Sequence, residues 1–336
     1  LVGFNIFIYF YGKLLNVDSA MRRSVMVVAF CAISFITNAQ QESQFSQNMY
    51  NHMTVNPAFA GMRGNWAISG IYRNSWQKME GAPETYAFSV DAPVKIRNVE
   101  GGAGLTLLSD KWGMVTNLRM MVNYAYKCTL NFGVLNVGAR IGMLSTKIEG
   151  EYYIPGGEGF TPPGDDPALN SSRADVSKIM FDAGIGVFLS ADKYYAGISL
   201  EHLPKPEMNV GMIGKMFWKR NLFLTGGYTF ALSPVLDVQP SAFVKTDFAD
   251  WQYSVNAHVV FKKTYWGGLA YRDKEAVAFL GGLELKNGIL VGYSYDLNIA
   301  SGVSSHLGGS HEVSLAYCFG LKMGKKEKIY KSVRFL

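Results

Sequence analysis

The chain has 336 residues, of which 17% are charged and 14% aromatic, with 36 glycines and a formal charge of +6. Low charge, abundant glycine and the lack of Ala/Glu/Lys/Leu-rich stretches argue against a helical domain and for β structure. Most of the positive excess lies in GLKMGKKEKIYKSVRFL at 320–336, where Lys322, Lys325, Lys326, Lys328, Lys331 and Arg334 stand against Glu327, which speaks against a nucleic-acid surface spread over the body of the chain.

The N-terminus reads as a targeting signal. Arg22 and Arg23 precede an apolar run from Val25 to Ile36, and the small residues Thr37 and Ala39 predict cleavage before Gln40. Met21 is then the start, with residues 1–20 as upstream sequence, so 1–39 falls outside the mature protein. Neither 1–15 nor 25–36 reaches the roughly 20 apolar residues of a spanning helix. Residues 40–63, QQESQFSQNMYNHMTVNPAFAGMR, are rich in Gln and Asn and turn at Asn56-Pro57. They predict a leader lying at the periplasmic mouth or inside the lumen of the β-rich region from residue 64 on.

In that region, segments of about ten residues alternate with period two. Strands are predicted at 65–73, 85–91, 101–108, 117–127, 131–146, 178–189, 194–203, 221–232, 236–245, 251–262, 264–272, 276–286, 289–296 and 312–319. In 117–127, Leu118, Met120, Val122, Tyr124 and Tyr126 share one face, and Asn117, Arg119, Asn123 and Lys127 the other. In 251–262, Trp251, Tyr253, Val255, Ala257, Val259 and Phe261 oppose Gln252, Ser254, Asn256, His258 and Lys262. Mid-strand arginines such as Arg119 and Arg140 need water or a partner on their side.

Links also sort by parity. Those at 190–193, 233–235, 263–264 and 287–288 are tight, whereas 74–84, 147–177, 204–220 and 297–311 are long. Short turns on one rim and long loops on the other predict an all-β, transmembrane, antiparallel outer-membrane β-barrel at 64–319, with the short rim periplasmic. It has about 14 strands, with 12 to 16 allowed by boundary error. Tyr72, Tyr126, Tyr265, Tyr271, Tyr293 and Tyr295 are candidates for interfacial girdles, and 320–336 forms a basic periplasmic tail.

Chemistry for catalysis is not found. The sequence contains no G-x-S-x-G, H-E-x-x-H, P-loop or strand-to-helix G-x-G-x-x-G. After Cys31 leaves with the signal, Cys128 and Cys318 supply neither a disulfide framework nor a zinc site. His306 and His311 read as polar loop residues, and Asp165 and Asp166 as part of a Pro/Gly-rich loop without the spaced acids of a calcium site. No enzyme activity, cofactor or metal is expected.

The leader QFSQNMYN…NPAFAG and the stretch YRNSWQKMEGAPETYAFSVDAPV at 72–94 resemble the PorP/SprF family of type IX secretion system outer-membrane proteins. The likeness continues in GAGLTLLSDKWG, FDAGIGVFL, YYAGISLEHLPKP, LAYR and VGYSYDLNIASGVSSHLGGSHEVSLAYCF. It implies a non-enzymatic barrel of the bacterial outer membrane, part of a secretion and, in some bacteria, gliding apparatus. Its implied partners are translocon and periplasmic ring or lipoprotein components, secreted cargo with a C-terminal sorting domain, and outer-membrane lipid.

The family pattern falls on Gln44, Phe45, Ser46, Gln47, Asn56, Pro57, Gly61, Tyr72, Arg73, Trp76, Gly81, Ala82, Pro83, Asp91 and Pro93. Late in the chain it falls on Tyr293, Tyr295, Asp296, Gly309, Ser310 and His311. Arg73 and Trp76 either anchor a partner or fix the loop across the barrel mouth. In the tail, Lys325, Lys326 and Arg334 are candidate partner contacts, the other reading being a solvated tail. The competing function is a passive channel for a small ligand, lined by Arg119, Arg140, Asp237 and Lys245.

Overall fold

A computed structural model of the chain describes residues 42–148, 176–210, 214–299 and 308–320. Its strands are β1 (Trp66–Asn74), β2 (Glu84–Ile96), β3 (Val99–Trp112), β4 (Val115–Leu130), β5 (Gly133–Ile148), β6 (Val176–Ser190), β7 (Tyr194–Glu201), β8 (Glu207–Val210) and β9 (Gly214–Phe217). They continue with β10 (Asn221–Tyr228), β11 (Phe230–Ser233), β12 (Leu236–Thr246), β13 (Trp251–Phe261), β14 (Tyr265–Arg272), β15 (Ala276–Glu284), β16 (Ile289–Asn298) and β17 (Ser310–Phe319).

Every pairing is antiparallel. β1 lies between β2 and β17, neighbours succeed one another in chain order, and β10 pairs with β12 to close the sheet on itself. β11 prolongs β10 beyond Thr229, and β8 with β9 forms a separate hairpin in the connection from β7 to β10. The result is a closed 14-stranded barrel. Each of the 14 predicted strands is one of its staves. Among the described residues no helix is long and apolar enough to cross a membrane.

The alternation written in the sequence becomes an inverted protein. Trp251, Tyr253, Val255, Val259 and Phe261 of β13 are exposed, while Ser254, Asn256 and His258 are buried. On β4, Leu118, Met120, Val122, Tyr124 and Tyr126 face out, and Asn117, Arg119 and Asn123 face in. A wall with apolar residues outside and polar ones inside is stable only with hydrocarbon around it. Tyr126, Tyr265, Tyr271 and Tyr293 are exposed on that outer wall, and Tyr72 and Tyr295 are half-buried.

One strand end differs clearly from the sequence expectation. The alternating pattern ends the second strand at 91, yet the ladder runs on through Pro93 paired with Gly102 to Ile96 paired with Val99. Residues 95–100 are exposed on both parities. Beyond the apolar band both faces meet water, so alternation no longer marks the strand. On the same rim, Lys262 and Lys263 both adopt left-handed φ values of 52° and 54°, which suits the twist of a tight hairpin.

Candidate functional site

The segment from Glu42 to Arg63 lies inside the barrel. It meets in turn the inner faces of strands on all sides, and its two ends lie at opposite rims. β1 spans nine residues, roughly 30 Å at about 3.3 Å per residue, so the leader has more chain than the passage needs. The slack is taken up in three short helical turns, Asn48–Tyr50, His52–Val55 and Pro57–Phe59. Asn56 caps the last: its Oδ1 accepts from Ala58 N at 3.0 Å, and Pro57 occupies the first position, where no N–H is required.

At the long-loop rim the leader is held by charge. The Glu42 carboxylate pairs with Arg119 at 2.8 Å and with His202 Nε2 at 3.1 Å, and its carbonyl accepts from Lys245 Nζ at 2.9 Å. His202 Nδ1 lies 2.8 Å from Asp182. Burial by itself would raise the Glu42 carboxyl, but Arg119, the hydrogen bond from His202 and the charges of His202 and Lys245 hold it well below the usual carboxylate range. In the turn after β7, burial opposes the His202 imidazolium, yet Asp182 and Glu42 push the group up to about 9.

A few residues on, Ser46 sits in a second ionic cluster. Its hydroxyl donates to Asp296 at 2.7 Å and accepts from Arg73 Nη1 at 3.0 Å and Arg272 Nη2 at 2.9 Å. One donor and two lone pairs are thereby fully used. The Ser46 and Gln47 amides donate to the two oxygens of Glu312, each at 2.8 Å. Arg73 itself bridges Asp296 at 2.7 Å and Glu312 at 3.0 Å.

Midway, apolar packing takes over. Met49 and Tyr50 join Trp266, Leu280 and Leu290, while Met53, Phe59 and Met62 join Phe188 and Tyr195. His52 packs among the rings of Phe59, Phe188 and Tyr195 at 5.0 to 5.4 Å. Arg140, ion-paired with Glu201 at full burial, donates to the Thr54 carbonyl at 2.7 Å. Ser199 donates to the Val55 carbonyl at 2.5 Å.

Near the short-turn rim the wall itself gives way to the leader. Asn56 Nδ2 donates to the Val187 and Ile198 carbonyls at 3.0 and 3.2 Å, and Asn136 donates to the Ala58 carbonyl at 3.1 Å. Gly102 of β3 touches the Ala60 carbonyl and Gly61 so closely that a Cβ there would overlap backbone, and Gly138 of β5 does the same beneath Ala58. Gly61 takes a left-handed φ of 67° and donates its N–H to Asp91 at 2.9 Å.

The residues singled out from the sequence go to different places. Ser46, Gln47, Asn56, Pro57 and Arg73 are buried in the lumen; Gln44 is half-buried there, and Phe45 packs with Ile71, Ala87 and Leu108. Tyr72, one residue from Arg73, points the opposite way and packs on Tyr86 with ring centroids 4.8 Å apart. Trp76, Gly81, Ala82 and Pro83 form the β1–β2 loop. There Trp76 has φ 53° and donates its amide to Ser310 at 3.2 Å, and Gly81 is exposed. Tyr293 is hydrogen-bonded to His311 at 2.6 Å. Lys325, Lys326, Arg334, His306, Asp165 and Asp166 lie outside the described residues, and among the described residues no cluster suits a metal ion.

Glu42, Asp182, Glu201, His202, Arg272 and Glu312 carry much of the leader's anchorage, and sequence reasoning misses them. The available signal is charge at positions whose parity faces inward. Arg119 and Arg140 show that signal; nothing local ties them to acids in other strands.

A closed barrel with a hydrocarbon-compatible outer wall and a polar, filled interior defines a transmembrane β-barrel of the outer-membrane type. The family model for "Type IX secretion system membrane protein PorP/SprF" matches residues 37–317, and the chain belongs to that family. No curated relative matches the sequence. Among solved structures, the chain is similar to the CymD monoaromatic hydrocarbon channel, with 12% identity, a TM-score of 0.47, and coverage of 84% of this chain and 95% of that one. It is also similar to the Pseudomonas putida toluene transporter TodX (10%, 0.44, 81% and 94%) and a Pseudomonas aeruginosa FadL homologue (11%, 0.44, 78% and 92%).

Proposed function

We propose that this protein is a barrel component of the type IX secretion system in the bacterial outer membrane, a fixture rather than a conduit. It assists export or surface attachment of cargo bearing C-terminal sorting domains by contacting translocon and periplasmic ring proteins. Family membership supports the system, and the filled lumen carries the choice of role. Wall charges that a channel would turn toward its solute are instead engaged: Arg119 binds Glu42, Arg140 binds the Thr54 carbonyl, and Lys245 binds the Glu42 carbonyl. Work then falls to the two rims, the outer wall and the tail, with Lys325, Lys326 and Arg334 as the proposed contacts for a periplasmic partner.

The test has two arms. Purified protein in planar bilayers is expected to show negligible steady current, and the tagged protein to co-purify with secretion components from outer-membrane fractions. A large, ligand-blockable current without such partners would replace this reading by the channel. Deletion of residues 322–336 is expected to weaken recovery of the periplasmic partners while leaving the barrel assembled.

A further inference from the structure

Glycines of the barrel wall serve different purposes. Gly102 and Gly138 are demanded from inside, because a Cβ at either would overlap the backbone of the leader. Gly70 is not. It stands at the middle of β1, four residues from each end, on the outward parity of Ile68 and Tyr72. A Cβ added there would meet nothing nearer than the Ala87 carbonyl oxygen at 4.0 Å, and its φ is not left-handed. Neither packing nor backbone geometry calls for glycine at this position. Glycine weakens a strand interior, and it is found there where something from outside the strand comes close to the backbone.

The missing side chain leaves a groove on the outer wall. Its cavity is about 400 Å3, within the roughly 300–1,000 Å3 of small-molecule sites. Gly70 is the floor, its cross-strand neighbours Phe88 and Leu315 are the flanks, and Leu107 beside Phe88 extends the groove across β3. Tyr72 and Tyr86, with ring centroids 4.8 Å apart, line its end toward the long-loop rim.

Polar groups begin where the groove ends. Ser109 is part of its lining, and Lys111 shares the parity of Ser109 on β3, two residues or about 7 Å nearer the long-loop rim. Lys111 is exposed and has no ion-pair partner among the described residues. Glu84, opposite it in register, instead accepts from the Tyr86 hydroxyl at 3.5 Å. An apolar slot in the hydrocarbon band, with phenol groups and an uncommitted cation at its mouth, has the polarity of one amphiphile. A chain fits below and an anion above.

From this juxtaposition we propose that the β17-to-β3 sector of the outer wall binds one anionic, phosphate-bearing membrane lipid, with an acyl chain lying over Gly70 and the phosphate at Lys111. Elsewhere the wall meets lipid in passing; here it retains a molecule. In the orientation proposed above, that lipid belongs to the outer leaflet.

The site depends on the barrel lying in a membrane and not on its role in secretion, so its failure would leave that role untouched. The test uses the full-length protein reconstituted into phosphatidylcholine vesicles that contain a minor fraction of phosphatidylglycerol with a diazirine in one acyl chain. A second set of vesicles carries the same chain on phosphatidylcholine. After irradiation, adducts are mapped by mass spectrometry. Random contact would follow exposure and favour Val255 and Leu269, at 55% and 52%, over Phe88 at 42% and the half-buried Leu107.

The expected result is the reverse, roughly fivefold more phosphatidylglycerol adduct at Phe88 and Leu107 than at Val255 and Leu269. Gly70→Trp, which fills the groove, should abolish that excess, whereas Gly267→Trp, at an outward glycine of β14 with similar open space, should not. Leu107→Trp fills the groove from β3 should Gly70→Trp fail to assemble, as judged by heat-dependent gel mobility, and adduct is then read at Phe88. Lys111→Gln should remove the preference for the phosphatidylglycerol probe over the phosphatidylcholine one. Adduct that follows exposure overturns the proposal, as does an excess that survives filling of the groove, or equal labelling of the unaltered protein by the two probes. Capture of a protein by a benzophenone side chain put in place of Phe88 in whole outer membranes overturns it in favour of a membrane partner.

Discussion

The two ends of the leader are held by different physics. At Glu42 and Ser46 the contacts are carboxylates, guanidinium groups and one imidazole, with distances of 2.7 to 3.1 Å and considerable dependence on protonation. At Asn56 to Gly61 the contacts are neutral hydrogen bonds and backbone laid on glycine, with the Gly61 amide on the Asp91 carboxylate as the exception. The first arrangement can be loosened without changing shape, whereas the second has no alternative geometry. The long-loop end of the leader is therefore expected to loosen more readily than the short-turn end, which is close-packed on the wall.

The sharpest way to break that contrast is to add volume at the short-turn end. Gly102→Val puts a branched side chain where the Ala60 carbonyl lies, and the expected outcome is failure of the barrel to assemble, seen as loss of the heat-modifiable gel form. Next comes Arg140→Met, which leaves Glu201 buried without its partner. A broken buried pair costs roughly 3–5 kcal/mol, measurable as a lowered urea midpoint in detergent micelles.

Ser46→Ala is expected to cost less, about 1–3 kcal/mol, because Arg73 and Arg272 lose a shared acceptor but keep Asp296 within reach. The fold should persist while the long-loop half of the leader becomes more accessible to protease. The smallest effect is that of pH. His202 has its value raised from 6.5 to about 9 by Asp182 and Glu42 against the cost of burial. Its contribution is full below pH 6.5 and is lost as pH rises through about 9. Maleimide labelling of Ser43→Cys should accordingly increase between about pH 7 and pH 10, and His202→Gln should flatten that rise.

How much is legible in the sequence varies with the range of the interaction. The strands β4 and β13 can be read from parity alone, because successive side chains point to opposite faces whatever the rest of the molecule does. Tight turns such as 287–288 announce themselves too: Asn287-Gly288 supplies the left-handed φ of 92° found at Gly288. The extension of β2 through Pro93 to Ile96 is not legible, since water on both faces erases the alternation. The leader shows its capped Asn56-Pro57 turn, a local device, but not what that turn docks on.

By itself the sequence determined which residues face outward and which face the lumen and on which rim its long loops gather, and it put the number of staves between 12 and 16. These are matters of side-chain direction and chain punctuation within about ten residues. Only the tertiary structure decided that Ser46 and Gln47 would sit on Glu312, 266 residues beyond Ser46. Closing the ladder between β1 and β17 is what brings the acids of the last strands around the first residues of the leader. No local pattern can encode that meeting, because neither partner's own neighbourhood depends on it.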